Sequence, residues 1–198
     1  MDLLLAVGVF FVVALIFPLI RHRLRTGQWA IVVHRAADPF QAYVGRAFGG
    51  TLVGILAWAS AYAALGPDRL HVLAGSAATK GAGWALFGAA LLLVVLAQAQ
   101  MGRSWRIGID DRPTGLVVDG VYRWVRHPIY TGMMGLALSL VLLAPSPWTC
   151  MFVPLIGFQM GVQARLEEQH LLRQHGEAFA SWAATSGRFL PRLAGGAP

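Results

Sequence analysis

The chain has 198 residues, 57% hydrophobic and only 13% charged, with a mean hydropathy of +0.59. A soluble domain carries roughly 25% charged residues, so this composition excludes a disordered chain and argues against a soluble globular one. The formal net charge of +7 would suit nucleic acid, but the basic residues lie beside apolar segments, which points to a membrane surface and no nucleic-acid partner.

In chain order, the apolar runs set the expected fold. A hydrocarbon core of roughly 30 Å takes about 20 helical residues. Leu3–Ile20 is an uncharged run of 18. It lacks the basic region and small-residue cleavage site of a signal peptide, so it reads as a retained first span. Ala47–Gly66 and Gly81–Met101 are uncharged runs of 20 and 21. Thr131–Ala144 has only 14 and lengthens by reaching back to Pro128, a residue suited to a helix first turn. Ala144-Pro145-Ser146-Pro147 then breaks the chain before Pro147–Ala164, a further 18. The expected fold is all-α: residues 1–198 form a single polytopic membrane helical bundle. Its five transmembrane helices lie near 3–20, 47–66, 81–101, 128–144 and 147–164. The last two form a hairpin, and a helical cytoplasmic segment follows.

Alternating connections place fourteen of the 16 Lys and Arg residues on one side, Arg35 and Arg112 among them. Only Arg69 and Lys80 fall on the other side. That asymmetry predicts an outside N-terminus and a cytoplasmic C-terminus. Trp84 and Trp148 open spans at the outer interface, and Trp105 follows one at the inner, as an aromatic belt would. Gly45/Gly49 and Gly50/Gly54 have the spacing that lets helices approach closely. Packing inside one bundle is favoured over a dimer interface, and the oligomeric state stays open. The tail Ala194–Pro198 is expected to fray.

Polar residues concentrate in 102–130 and after the last span. Gln159, Gln163, Glu167 and His170 fall at i, i+4, i+8 and i+11, on one helical face. In a membrane helix such a stripe faces the bundle interior or a wet cavity; the alternative is helix–helix hydrogen bonding by the two Gln. Arg126-His127-Pro128-Ile129-Tyr130 packs a guanidinium, an imidazole and a phenol where a loop becomes a helix. Pro128 holds His127 extended, and the new helix end suits an anionic group. The competing reading is a basic-aromatic interface anchor, the role Arg123-Trp124 fits.

The other candidates carry less. His22 and His34 sit among arginines and read as interfacial. Asp110-Asp111 reads as a turn before it reads as a metal site, and His71 stands alone on the outer side. His127, His170, Glu167 and Glu168 have no spacing that demands a metal, so none is expected. Cys150, the single cysteine, excludes an intramolecular disulfide and lies far from the polar cluster. There is no Walker loop, G-x-G-x-x-G or HExxH motif.

The stretch from Leu116 to Gly132, LVVDGVYRWVRHPIYTG, resembles the signature of the isoprenylcysteine carboxyl methyltransferase family and its bacterial relatives, a group that includes the phospholipid methyltransferases. Glu167-Glu168 is similar to the acidic pair that follows the last membrane helix in that family. Leu171, Gly176, Phe179, Arg188 and Pro191 come after it at family-like spacing, and Gly102-Arg103-Ser104-Trp105-Arg106 is similar to the loop before the signature. The resemblance covers about residues 100–193. Phe179 and Trp182 stand where many relatives carry Tyr, and His170 is not a hallmark.

The resemblance implies S-adenosyl-L-methionine as methyl donor, held on the cytoplasmic side by elements 102–130 and 165–193. By motif position, Gly120, Tyr122, His127, Pro128, Tyr130, Glu167 and Glu168 would line the cofactor pocket. Arg126 and Glu168 would stand nearest the transferred methyl. The chemistry is consistent: a zwitterionic tail needs a cation for its carboxylate, which Arg126 or the helix end at Pro128 supplies, and ribose hydroxyls and an ammonium need carboxylates. An amine acceptor would also need a base, for which Glu168 or His170 is a candidate. The acceptor class spans an isoprenylcysteine-like carboxylate, an aminophospholipid or a thiol, reached from the lipid bilayer. The Ala/Gly/Arg-rich, Lys-poor composition points to a bacterial inner membrane. Competing functions are an NADPH-dependent reductase related to the sterol reductases, whose C-terminal helices are similar, and a non-enzymatic membrane subunit.

Overall fold

The computed structural model describes residues 2–32, 39–109 and 115–192. His34, Arg35, Asp110-Asp111, Arg112 and the tail Ala194–Pro198 lie outside the described residues, so the expectations placed on them stop there. The first rod consists of α1 (Asp2–Phe10), a π-helical stretch Phe11–Ile16, and α2 (Phe17–Thr26). There follow α3 (Pro39–Leu65), α4 (Ala77–Met101), α5 (Pro128–Leu143), α6 (Pro147–His175) and α7 (Glu177–Thr185). Among the described residues there is no strand, only two isolated bridges, Ile31 with Ile107 and Val125 with Gly187.

Local chemistry sets the boundaries. Pro18 has no N–H to return to the carbonyl of Ala14 four residues earlier. Gln98 Nε2 of α4 donates to that carbonyl at 2.8 Å instead, which ties the loosened turn into the bundle. The rod ends at Gly27, whose φ of 74° few other residues adopt. Ser76 caps α4 by accepting from the Thr79 N–H. Ser146 and Thr149 form a reciprocal capping box on α6, with a Pro in its first turn.

Three helices, Leu3–Thr26, Pro39–Leu65 and Ala77–Met101, are long and apolar enough to cross a membrane. At most 33% of the residues in any of their apolar windows are buried, so apolar side chains form the outer surface. Soluble proteins rarely present such a face. The fourth and fifth expected spans do not stand on the same footing: α5 is apolar but has 16 residues, and α6 turns polar in its second half.

The core runs through the first rod, α3, α4, α5 and α6, with Phe10, Trp58, Phe87, Leu136, Phe152 and Ile156 among its larger members. Close helix approach comes from glycines other than those expected. Gly50 and Gly54 face outward, and a methyl group added at Gly49, Gly50 or Gly54 would meet nothing within 4 Å. Packing inside one bundle therefore does not account for these three. The close contact is between α4 and α5: a Cβ at Gly132 would lie 2.5 Å from Val94 Cγ2 and 2.9 Å from the Ala90 carbonyl. Trp105 also departs from the interface-belt expectation. It is 4% exposed and packs edge-on to His22.

Candidate functional site

The site begins where α4 ends. Gly120 has φ 62°, and a side chain there would run into Gln100. Gln100 Oε1 instead accepts the Val121 N–H at 2.8 Å, pinning the short turn Gly120–Arg123 to α4. Tyr122 is buried and donates to the Ala97 carbonyl; burial, with the Glu167 charge, raises its pKa.

The chain then meets its own C-terminal part. The Gly187 N–H donates to the Trp124 carbonyl, Arg126 N–H to the Gly187 carbonyl and His127 N–H to the Arg188 carbonyl, at 2.8–3.1 Å. Thr131 Oγ1 adds a 2.6 Å bond to the Phe189 carbonyl. Pro128 lacks an N–H and takes the first position of α5, so the hinge leaves no donor unmet there.

This pairing closes an ionic cluster on α6. Arg126 Nε donates to Glu168 Oε1 at 2.9 Å, and its Nη1 donates to the carbonyls of Ala183 and Ser186. Arg188 Nη2 donates to Glu168 Oε2 at 2.5 Å. His127 bridges the acidic pair, with Nε2 3.3 Å from Glu168 Oε1 and Nδ1 3.5 Å from Glu167 Oε2. Glu167 Oε1 accepts from Tyr130 Oη and from Gln163 Nε2, the latter at 3.1 Å. The His127 and Tyr130 rings stack at 5.3 Å, 3° from parallel.

Burial opposes the Glu168 charge, but His127, Arg188 and Arg126 outweigh it and hold the carboxyl well below its usual range. Glu167 is likewise lowered, its burial offset chiefly by His127. Burial disfavours an imidazolium at His127, yet its bonds to Glu167 and Glu168 prevail and raise its pKa. The signs give a pH window. A raised His127 contributes stability that is complete below its ordinary value of 6.5 and lost as pH climbs through the folded value. The lowered carboxyls contribute above 4.5 and lose it as pH falls toward their folded values. Thermal unfolding in detergent is expected to be most resistant near pH 5–6, and His127→Gln to abolish the loss on the alkaline side. An unchanged alkaline limb in that variant would contradict the His127 assignment.

A cavity of about 190 Å³ opens beside the cluster. Tyr122, Arg126, His127, Pro128, Tyr130, Gln163, Glu167, His170 and Trp182 line it at one end. Leu15, Val44, Phe48, Met133, Gln159 and Met160 continue it between the helices. Of the residues expected in a cofactor pocket, Tyr122, His127, Pro128, Tyr130 and Glu167 thus stand on its wall, as does Arg126. Gly120 and Glu168 do not: Gly120 shapes the turn, and Glu168 lies behind Arg126 and His127 as their counter-charge. With three cationic partners and a depressed pKa, Glu168 is also a poor base.

The polar stripe divides its work. Gln159 makes the helix–helix bond, donating to Thr51 Oγ1 at 2.9 Å, whereas Gln163 braces Glu167. Sequence reasoning passed over Arg188, Ser186, Trp182 and Gln100 as site residues. Trp182 Nε1 donates to the Tyr122 carbonyl and joins α7 to the hinge. The only signal for Arg188 was its basic charge at fixed spacing after the acidic pair. Cys150 lies seventeen residues before Glu167 on α6, about 25 Å along the axis, and takes no part.

Residues 81–173, just under half of the chain, match the model of the isoprenylcysteine carboxyl methyltransferase family. This is the family that the Leu116–Gly132 motif resembles, and the matched stretch holds both the hinge and the acidic pair. No curated protein matches the chain.

Proposed function

We propose that this chain, similar over residues 81–173 to the isoprenylcysteine carboxyl methyltransferases, is an S-adenosyl-L-methionine-dependent membrane methyltransferase acting on a lipophilic or small acceptor at the cytoplasmic face. One observation carries the reading. Arg126-His127 and Glu167-Glu168, some 40 positions apart, join through direct hydrogen bonds at the mouth of a cavity that continues between apolar helices.

The residues present fit that donor. Its zwitterionic tail calls for a cation and an anion, and Arg126 and Glu167 both line the cavity; its flat base calls for ring surfaces, which Tyr122 and Trp182 on the same wall provide. When bound, S-adenosylmethionine supplies an electrophilic methyl on a positive sulfur, which departs as a neutral thioether when the acceptor's lone pair takes the methyl. The protein's part is alignment and exclusion of water. Tyr130 and Gln163 fix the Glu167 carboxylate. Glu168 and the Ser186 and Ala183 carbonyls fix the Arg126 guanidinium, leaving it to orient an anionic group. Glu168 is a positioning residue. A carboxylate or thiolate acceptor needs no base once ionised.

The spans follow from the same placement. Although α5 covers only about 24 Å at about 1.5 Å per residue, short of a core of roughly 30 Å, it and the apolar half of α6 are read as the fourth and fifth spans, a hairpin turning at Pro145. Its open end, with the basic segments, lies on the cytoplasmic side. Calorimetric titration of the purified protein with S-adenosylhomocysteine tests the reading: saturable one-to-one binding is expected, and no heat from a folded sample would contradict it.

A further inference from the structure

Gln159 Oε1 is a buried polar atom on the cavity wall with no hydrogen-bond partner among the described residues, and it lies toward the far end from the ionic cluster. Gln159 precedes Glu167 by two turns of α6, about 12 Å along the axis, and is 7% exposed. Its Nε2 donates to Thr51 Oγ1. Thr51 gives its one hydroxyl hydrogen to the Ala47 carbonyl at 3.1 Å, so it has only lone pairs to offer. Gln159 accordingly faces it through nitrogen. The carbonyl Oε1 is left over, and among the described residues it has no hydrogen-bond partner. Leu15, Val44, Phe48, Met133 and Met160, which line the same cavity, carry no side-chain donor. A buried carbonyl beside an apolar cavity is costly unless something donates to it.

Resting on the methyltransferase reading, we propose that Gln159 Oε1 is the specificity point for the methyl acceptor. The acceptor is an amphiphile whose apolar body carries an N–H or O–H donor, given to Gln159. Its reacting head lies at the Arg126–Glu167 end, about 6–12 Å away along α6. A body made only of hydrocarbon, ester or thioether groups leaves Oε1 unmet and binds less well.

A matched pair of probes decides this. Both have a carboxylate head and the same alkyl chain; one carries a secondary amide at that spacing, the other its N-methyl amide. Affinities are read by calorimetry in detergent with S-adenosylhomocysteine present. The secondary amide is expected to bind the wild type about tenfold more tightly, and Gln159→Met to erase the preference. Equal affinities in the wild type would mean that water serves Oε1, and would overturn the proposal. So would a preference that survives in Gln159→Met, or failure of both probes to bind. Where Gln159→Met does not fold, the wild-type comparison decides alone. Binding of S-adenosylhomocysteine to the same sample separates the two readings: its loss strikes the methyltransferase assignment, whereas its presence with indifferent probes strikes the acceptor subsite only.

Discussion

Glu168→Ala is expected to be the most damaging single substitution in the site. Its carboxylate neutralises Arg126, Arg188 and His127 together. Arg126 and Glu168 have side chains only 12% and 14% exposed, whereas Arg188 is 37% exposed. Removing one partner from a buried ion pair costs about 3–5 kcal/mol, because the other charge is left in a poor dielectric. Arg188 is able to turn into solvent, so the penalty falls on Arg126 and His127 and lies toward the lower end of that range. Thermal unfolding in detergent is expected on the order of 10 °C lower. Glu168→Gln keeps an acceptor for Arg126 Nε and costs less. Arg188→Ala removes a half-exposed partner and costs least, about 1 kcal/mol. A ranking in which Arg188→Ala equals Glu168→Ala would show that Arg126 is held by its bonds to the Ala183 and Ser186 carbonyls alone.

Gly187→Val is expected to damage binding more than folding. A Cβ at Gly187 would overlap the Leu190 carbonyl, so the 187–190 segment must leave its place against Trp124–His127. Three backbone hydrogen bonds go with it, each contributing about 1 kcal/mol, which corresponds to about a hundredfold loss of S-adenosylhomocysteine affinity. The core between α1 and α6 does not include this segment, so the unfolding midpoint should fall by less than in Glu168→Ala. Wild-type affinity in Gly187→Val would mean that the C-terminal return does not shape the pocket.

Much of this was legible in the sequence because hydropathy and proline act locally. The Ala144–Pro147 break is where α5 ends and α6 begins, and Ser146 with Thr149 supplies the chemistry. Helix lengths were less legible, since charge-free runs mark the apolar stretch rather than the hydrogen-bonded one. The second helix starts at Pro39, not 47, with Arg46 inside it; the first runs to Thr26; and α6 continues to His175. The π-helical turn has its cause in Pro18, but its partner Gln98 is 84 residues away. The meeting of His127 with the acidic pair was expected from the family resemblance. The return of residues 186–190 was not, because backbone pairing across some 60 positions leaves no mark in composition. Nor did periodicity distinguish the glycines at the α4–α5 contact from those facing outward: Gly132 and Gly50 differ only in what stands opposite them.

On the proposed function, the hinge at His127 and the acidic exit of α6 build one pocket for a soluble methyl carrier. A crystal structure with S-adenosylhomocysteine bound tests it most directly. The ligand is expected between Arg126, His127, Glu167 and Trp182, its sulfur facing the apolar reach of the cavity toward Gln159. Ligand held elsewhere on the protein, with that cavity intact and empty at saturation, would contradict it.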